Sequence, residues 1–377
     1  GRLLDPAGGY VRRLAAVLAL ASAWAGLEYV RGAWFTGFPW NPLAVSQYRR
    51  LILIQVAELG GTALLSALVL AVNAGFALTI LEIVRHRHEP RARAHPHLLV
   101  PLLLVALAIA YGMRRLRQEA GRPAVSTVSI GVAQPDLAQD RKWEEGELEH
   151  VLATLTELTD RLQRAEPDVV VWPETALPVP LLHSGPAQQF VRRRVAGGAP
   201  LVVGTIDEER RDGLQISYNS SFLVEPDGTL AATYNKQHLV LMGEYVPLEE
   251  RFPWLRKVTG MPGIYRPGTE AGLFPVGPEG VLVSPLICFD DALPYLSRRA
   301  ARAGARVLLN QTNDGWFDGT SGPRQHLAQS VFRCVENRVP MVRCTNTGVT
   351  CLVDTLGDIH GALPTPTETG KRVGRTA

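Results

Sequence analysis

The chain has 377 residues, and 39 basic against 36 acidic side chains leave a net charge of +3. That length exceeds one small core and points to two structural regions, while the near balance of charge argues against nucleic acid as a partner. The four cysteines are too few for a disulfide framework in a chain of this size.

The averages hide a sharp division. Residues 1–120 are dominated by Leu, Ala and Val, whereas the rest reads as an ordinary soluble domain, so we expect regions at 1–122 and 123–377. Three apolar stretches stand out, about Leu14–Val30, Leu59–Val84 and Leu98–Met113. A spanning helix needs roughly 20 apolar residues and no fewer than about 17, which predicts a multi-pass helical membrane region. Pro101 is tolerable in a first helical turn. Trp34, Phe35, Phe38 and Trp40 fit an interfacial aromatic belt, and Glu28 and Glu58 fall at span edges. The basic loop Arg85–Arg93, with Arg12 and Arg13, argues for a cytoplasmic side. Arg114, Arg115, Arg117 and Arg122 argue for the opposite side, so charge bias leaves the topology open.

From Val125 the periodicity changes. Val125–Ala133 alternates as a strand does, Trp143–Ala165 is helix-like, and Asp168–Trp172 and Leu201–Ile206 read as strands. Tyr218–Val224 and Thr229–Tyr234 flank the turn Glu225-Pro-Asp-Gly228, a hairpin signal. Val281–Ile287, Arg306–Leu309, Met341–Thr345 and Val349–Asp354 continue the strands, with helices over Ala292–Ala303 and Pro323–Asn337. Strands alternating with helices, plus hairpins, indicate a layered α/β domain.

Three polar motifs follow strand-like runs: Trp172-Pro-Glu-Thr175, Tyr234-Asn-Lys-Gln-His238 and Ile287-Cys-Phe-Asp290. A thiol is a good nucleophile only as thiolate, so Cys288 needs a base or a positive charge nearby. Glu174, behind a buried strand, is suited to accept the thiol proton. Lys236 is suited to stabilise a tetrahedral oxyanion together with a backbone N–H beside Cys288. Cys334, Cys344 and Cys351 read as small buried hydrophobes, with a Cys344–Cys351 pair as the alternative. No Cys or His grouping has metal-ligand spacing, and no cofactor is implied. His326 and Asp314 read as core or loop hydrogen-bonding residues. His183, His238 and His360 read as surface residues, and Arg192–Arg194 as a solvated helix face. Met242–Tyr265 is apolar and interrupted by Pro247, Pro253 and Pro262, which suggests a lid that dips into lipid.

These motifs, with Gly243-Glu-Tyr-Val-Pro247, resemble the Glu-Lys-Cys motifs of the nitrilase superfamily. More narrowly, Gly37-Phe-Pro-Trp40, Gln134-Pro-Asp136, Lys142-Trp143, Asn313-Asp-Gly-Trp-Phe317, Gly322-Pro-Arg-Gln-His326 and Thr345-Asn-Thr-Gly348 resemble the apolipoprotein N-acyltransferase family. The resemblance covers essentially the whole chain. Relative to the family pattern the first spans and the last are missing, so a fragment or processed form is expected, in keeping with Gly1 and the ending Lys371–Ala377.

The resemblance implies an α-β-β-α sandwich behind the membrane region, with Glu174 as general base, Lys236 as oxyanion stabiliser and Cys288 as nucleophile. Glu244 matches a second glutamate beside the nucleophile, and Trp143 matches a substrate-binding position. Where the family has Tyr-Glu after the cysteine, this chain has Phe289-Asp290, which loses a phenol hydroxyl and a methylene. The implied reaction moves a fatty acyl chain from a phospholipid, usually phosphatidylethanolamine, through a Cys288 thioester to the amine of a diacylglyceryl-cysteine on an apolipoprotein. The implied setting is the bacterial inner membrane, among membrane lipids, as a monomer with the catalytic domain on the periplasmic side. The alternatives are a membrane-tethered amidase or carbamoylase, in which water resolves the thioester, and an inactive membrane scaffold.

Overall fold

The computed structural model describes residues 9–34, 37–87, 95–123, 126–138, 146–211, 214–248, 251–252, 254–255, 264–317, 319–364 and 375–377. The chain divides into two compact units, residues 1–123 with 356–358, and residues 124–355 with 359–377.

In the first unit, α1 (Tyr10–Ala33), a short α2 (Leu51–Ile54), α3 (Ala57–Arg85) and α4 (Pro96–Ala120) follow the three apolar stretches. All but α2 are long and apolar enough to cross a membrane. Their seams use small residues: Val17 and Ala21 of α1 meet Ala71 and Leu78 of α3. A Cβ at Gly75 would lie 2.6 Å from the His97 carbonyl, and one at Gly112 only 1.8 Å from that of Ile52. Such close backbone approach is the packing that apolar helices use where lipid leaves no hydrophobic drive to associate. The outward faces stay apolar, as Ile80, Ile83, Leu99, Leu103 and Leu107 show. Gly60 and Gly61 leave helical geometry and break the start of α3. Glu58 beside this break is held by Arg115 at 2.9 Å and by the Tyr111 hydroxyl at 2.9 Å, and Glu28 accepts from the Trp24 indole. Trp34 and Phe38 are exposed, as a belt requires; Phe35 lies outside the described residues.

Buried Glu82 gathers Arg13, His95 and His97 around it, and potential ligand atoms of Glu82, His95 and His97 lie within 4.8 Å of one another. Sequence spacing did not reveal this cluster. With Arg13 already paired to Glu82, a divalent cation there would share one carboxylate with a guanidinium, so the group reads as a buried ion pair.

The second unit is built from two sheets. In chain order it contains β1 (Ile130–Gln134), α5 (Glu147–Gln163), β2 (Val169–Val171), α6 (Gly185–Val195), β3 (Leu201–Arg211), β4 (Leu214–Val224), β5 (Leu230–Asn235), β6 (Ile264–Tyr265), β7 (Phe274–Val276) and β8 (Val281–Ile287). Then follow α7 (Pro294–Arg302), β9 (Val307–Thr312), α8 (Gly322–Asn337), β10 (Met341–Thr345), β11 (Cys351–Val353), β12 (Ile359–His360) and β13 (Arg375–Thr376). The first sheet runs β13-β1-β2-β3-β4-β5 with β6 beside β4, and the second runs β12-β11-β10-β9-β8-β7. Each has a parallel centre, β1-β2-β3 in one and β8-β9-β10 in the other, flanked by antiparallel strands.

Side-chain alternation sets the layers. Val169, Val171 and Val202 point between the sheets, where they meet Val283, Ile287 and Leu309. Val170, Leu201 and Val203 point the other way, against Leu155 and Leu158 of α5 and Val191 of α6. Helices α7 and α8 pack on the second sheet, completing the α-β-β-α sandwich. The helix expected over Trp143–Ala165 begins at Glu147, and residues 143–145 lie outside the described residues.

The alternative of a Cys344–Cys351 disulfide is not borne out, because all four cysteines are free. It is Arg343 that sits opposite Cys351 in the β10–β11 register, and the Cys344 thiol donates instead to the Ala133 and Val171 carbonyls at 3.4 and 3.5 Å. Arg194 is paired with Asp160 at 2.7 Å rather than freely solvated.

Gly204 of β3 lies against the segment that follows β2. A Cβ there would come within 2.0 Å of the Pro173 carbonyl and 3.1 Å of Glu174 Cα. Gly204→Ala is therefore expected to destabilise the second unit by about 1–3 kcal/mol, the usual cost of overpacking. A thermal unfolding midpoint equal to that of the parent chain would contradict this packing.

Candidate active site

Parallel strands of both sheets end near one another, and the polar residues just beyond those ends converge. Glu174 follows β2, Lys236 follows β5 and Cys288 follows β8. Glu174 and Lys236 are buried, and Cys288 is half-buried.

Lys236 is the hub. Its Nζ lies 2.8 Å from Glu244 Oε1 and 3.5 Å from Glu174 Oε1. Burial alone would drive the ammonium toward neutrality, but Glu244 first, with Glu174 beside it, outweighs it and holds Lys236 well above its ordinary range. The lysine is thus a fixed positive charge. Burial first, and the Glu174 carboxylate next, push the Cys288 thiol well above its ordinary range, while Lys236 pulls it back. In the resting site the thiol keeps its proton, and a base must take it as the attack proceeds.

Glu174 is aimed by two donors, the Asn219 side-chain amide to Oε1 at 2.7 Å and the Asn313 backbone N–H to Oε2 at 2.9 Å. The Asn219 amide also reaches Glu244 Oε1 at 3.2 Å, and the Val240 N–H donates to Glu244 Oε2 at 2.8 Å. Asn346 in turn donates to the Asn313 side-chain oxygen at 3.0 Å. Sequence reasoning missed Asn219 and Asn346. The available signal was a lone amide within a strand, Asn219, and the Thr345-Asn-Thr-Gly348 motif, whose role no periodicity reveals.

Cys288 sits on a sharp turn. Cys288 has φ +50°, a left-handed conformation costly for a side-chain-bearing residue, at the junction of β8 and a 3-10 turn over Cys288–Ala292. Thr175, next to Glu174, has φ +43°. Asp290 locks the junction: it accepts from the Ile287 N–H at 3.0 Å, the His238 N–H at 2.9 Å and the Tyr234 hydroxyl at 2.8 Å. One carboxylate thereby ties the cysteine turn to the loop that carries Lys236. Burial raises Asp290 to about 6, against the opposing pull of Lys236 and its hydrogen-bond donors. Phe289 is buried and packs against His238 with ring centroids 5.6 Å apart. Trp143 lies outside the described residues. Of the apolar segment after Lys236, Leu241, Met242, Leu248, Phe252 and Trp254 are exposed, and residues 249–250, 253 and 256–263 lie outside the described residues.

A buried carboxylate, a fixed ammonium and a strained thiol together suit acyl transfer through a covalent intermediate. Residues 129–371 match the carbon-nitrogen hydrolase family model, and residues 4–75 match the model of the apolipoprotein N-acyltransferase N-terminal domain. An apolipoprotein N-acyltransferase of Geobacter metallireducens is 36% identical over 94% of this chain and 67% of its own length. The chain belongs to the apolipoprotein N-acyltransferase family. Another member, from Brucella melitensis, is 33% identical over 93% of this chain and 65% of its own length, so the chain spans about two thirds of the length of these relatives. Among solved structures, a variant of the Nesterenkonia AN1 amidase from the nitrilase superfamily aligns with 20% identity and a TM-score of 0.46, covering 64% of this chain and 89% of that one. The family's carbon-nitrogen hydrolase match contains all three strand-end residues together with Glu244 and Asp290.

Asp290 has only donors around it, so an amide in its place must point its NH2 at one of two fixed backbone N–H groups. Asp290→Asn is expected to lower stability by about 1–3 kcal/mol, the cost of a buried unsatisfied donor. Thermal unfolding of the purified variant measures it, and an unaltered midpoint would refute the locking role.

Proposed function

We propose that this chain transfers a fatty acyl group from a phospholipid, with phosphatidylethanolamine as the usual donor, to the N-terminal amine of a diacylglyceryl-cysteine apolipoprotein. The reading rests on one observation above all: buried Lys236 bonded between Glu244 and Glu174 and in electrostatic reach of Cys288. Family membership and three apolar helices supply the lipid setting.

In the first half-reaction Glu174 takes the Cys288 proton as sulfur attacks the ester carbonyl. Negative charge develops on the carbonyl oxygen, where Lys236 stabilises it. The C–O bond then breaks, the leaving lysophospholipid oxygen takes the proton from Glu174, and a thioester remains on Cys288. In the second half-reaction the acceptor amine attacks that thioester. Glu174 receives a proton from the nitrogen, the C–S bond breaks, and the proton returns to sulfur. Ester to thioester to amide ends downhill at the amide, so no nucleotide is required. Glu244 and Asn219 keep Lys236 and Glu174 apart at fixed positions, so neither collapses onto the other in place of substrate. Trp143 is assigned to substrate binding, and the exposed Leu248, Phe252 and Trp254 to acyl-chain contact at the lipid surface. The setting is the bacterial inner membrane, with the catalytic domain on the periplasmic side and the protein acting as a monomer.

Incubation with phospholipid should add one fatty-acyl mass to the Cys288 peptide, and a diacylglyceryl-cysteine peptide should then remove it as an amide. Cys288→Ala should give no adduct, and Glu174→Gln should slow its formation by at least about a hundredfold, the usual scale for a lost general base. Release only as free fatty acid would mark a hydrolase instead, and absence of any adduct in the parent chain would mark an inactive scaffold.

Replacing Phe252 and Trp254 by serine should lower lipid turnover while leaving the reaction of Cys288 with a soluble thiol reagent unchanged. Equal turnover of lipid by the two proteins would defeat the assignment of that surface.

A further inference from the structure

A second buried charge cluster lies beside the first. His326 of α8 is only 1% exposed, and each ring nitrogen faces a carboxylate: Nδ1 lies 2.7 Å from Asp314 Oδ1, and Nε2 lies 2.8 Å from Asp291 Oδ1. An ionised carboxylate only accepts hydrogen bonds, so both ring nitrogens donate, and that is the imidazolium form. Arg343 of β10 brings the second positive charge, 2.7 Å from Asp291 Oδ2 and 3.4 Å from Asp314 Oδ2, and the Ser330 hydroxyl donates to Asp291. Two carboxylates and two cations thus close into a neutral group away from water. Burial works against the imidazolium, yet Asp291 and Asp314 together raise His326 to about 9.

The cluster joins the two segments that make the active site. Asp291 stands in the 3-10 turn that begins at Cys288. Asp314 follows β9, where the Thr312 hydroxyl donates to Asp314 Oδ1 at 3.3 Å. Between them Asn313 holds Glu174 through its backbone N–H. A Cβ at Gly348 would sit 2.6 Å from Asp314 Oδ2, so Asp314 has little room to turn elsewhere. Glu174, Lys236 and Asp314 are the charged groups that act on Cys288, and Asp314 opposes its ionisation.

The geometry points to His326 as a positioning residue that, as an imidazolium, clamps the Cys288 turn to the end of β9 and cancels the carboxylate charge opposing the thiolate. This rests on Cys288 being the nucleophile of the proposed function. Arg343 alone leaves one negative charge uncompensated when the imidazole is neutral, and that charge falls beside the sulfur. The sign for stability follows from the raised value: the contribution of His326 is complete below about 6.5 and is lost as pH rises through about 9.

Two measurements on the full chain test the clamp. With 15N-labelled histidine, one of the nine histidines should keep both ring nitrogens protonated at about pH 8, below the value of about 9 for His326. In His326→Gln, alkylation of Cys288 by iodoacetamide, followed by peptide mass spectrometry, should slow at least about tenfold at that pH. Adding Asp314→Asn to that variant should recover part of the rate, which a merely structural role would not do. No doubly protonated histidine in the unaltered protein, or an unchanged alkylation rate at that pH in His326→Gln, overturns the proposal. Alkylation needs no lipid, so a Cys288 that alkylates as described but never acquires an acyl group would instead count against the acyl-transfer reading.

Discussion

A lysine ammonium sealed inside the second unit, with one carboxylate at 2.8 Å and another at 3.5 Å, is the constraint on which the rest of the site depends. An ammonium loses its hydration when buried, and only close, well-aimed anions restore the balance. Glu244 and Glu174 provide them, and each is then aimed by further donors: Val240 N–H and Asn219 for the first, Asn219 and Asn313 for the second. Removing one member of such a buried set typically costs about 3–5 kcal/mol, because its partners stay behind unpaired. The site is therefore a single electrostatic object whose parts are kept apart at working distances, rather than three residues that happen to be neighbours.

The two-sheet architecture makes that object affordable in backbone terms. Parallel strands deliver their C-terminal ends to one rim, and the residues just past those ends escape strand pairing. Their polar groups can then aim at one another. The price of the sharp geometry is visible at Cys288 and Thr175, both in left-handed backbone conformations. Asp290 and the Asp291–His326–Asp314–Arg343 group hold the cysteine turn from its two sides, one toward the Lys236 loop and the other toward the end of β9. Replacement of the family's Tyr-Glu by Phe289-Asp290 fits this picture. The shorter carboxylate still reaches three donors, and the Tyr234 hydroxyl is among them.

Much of this was legible in the sequence, and the reason differs by element. β8 and β10 run over the expected residues because apolar side chains on both faces outnumber the polar Ser284, Arg343 and Thr345 and still mark a buried strand. β9 was expected to stop at Leu309 but runs to Thr312, because Asn310, Gln311 and Thr312 are fully buried polar residues that no hydrophobic pattern announces. Their side chains bond the Cys288 carbonyl, the Trp172 carbonyl and Asp314, which is why polar residues occupy core positions there. Asn219 was invisible for the same reason, and the pairing of Arg13 with Glu82 because the two are far apart in the chain. Short strands such as β6 and β13 exist only through pairing with distant partners, which local propensity does not encode. Glu174, Lys236 and Cys288 were legible because each is a reactive side chain placed just after an apolar run.

The central claim is that Lys236 receives the charge that develops on the acyl carbonyl attached to Cys288. A structure of the chain carrying a stable acyl group on Cys288 tests it directly. The account predicts the carbonyl oxygen at hydrogen-bond distance from Lys236 Nζ, about 3 Å, with Glu244 still bonded to the lysine. An acyl oxygen turned away from Lys236, toward solvent or another donor, would contradict it.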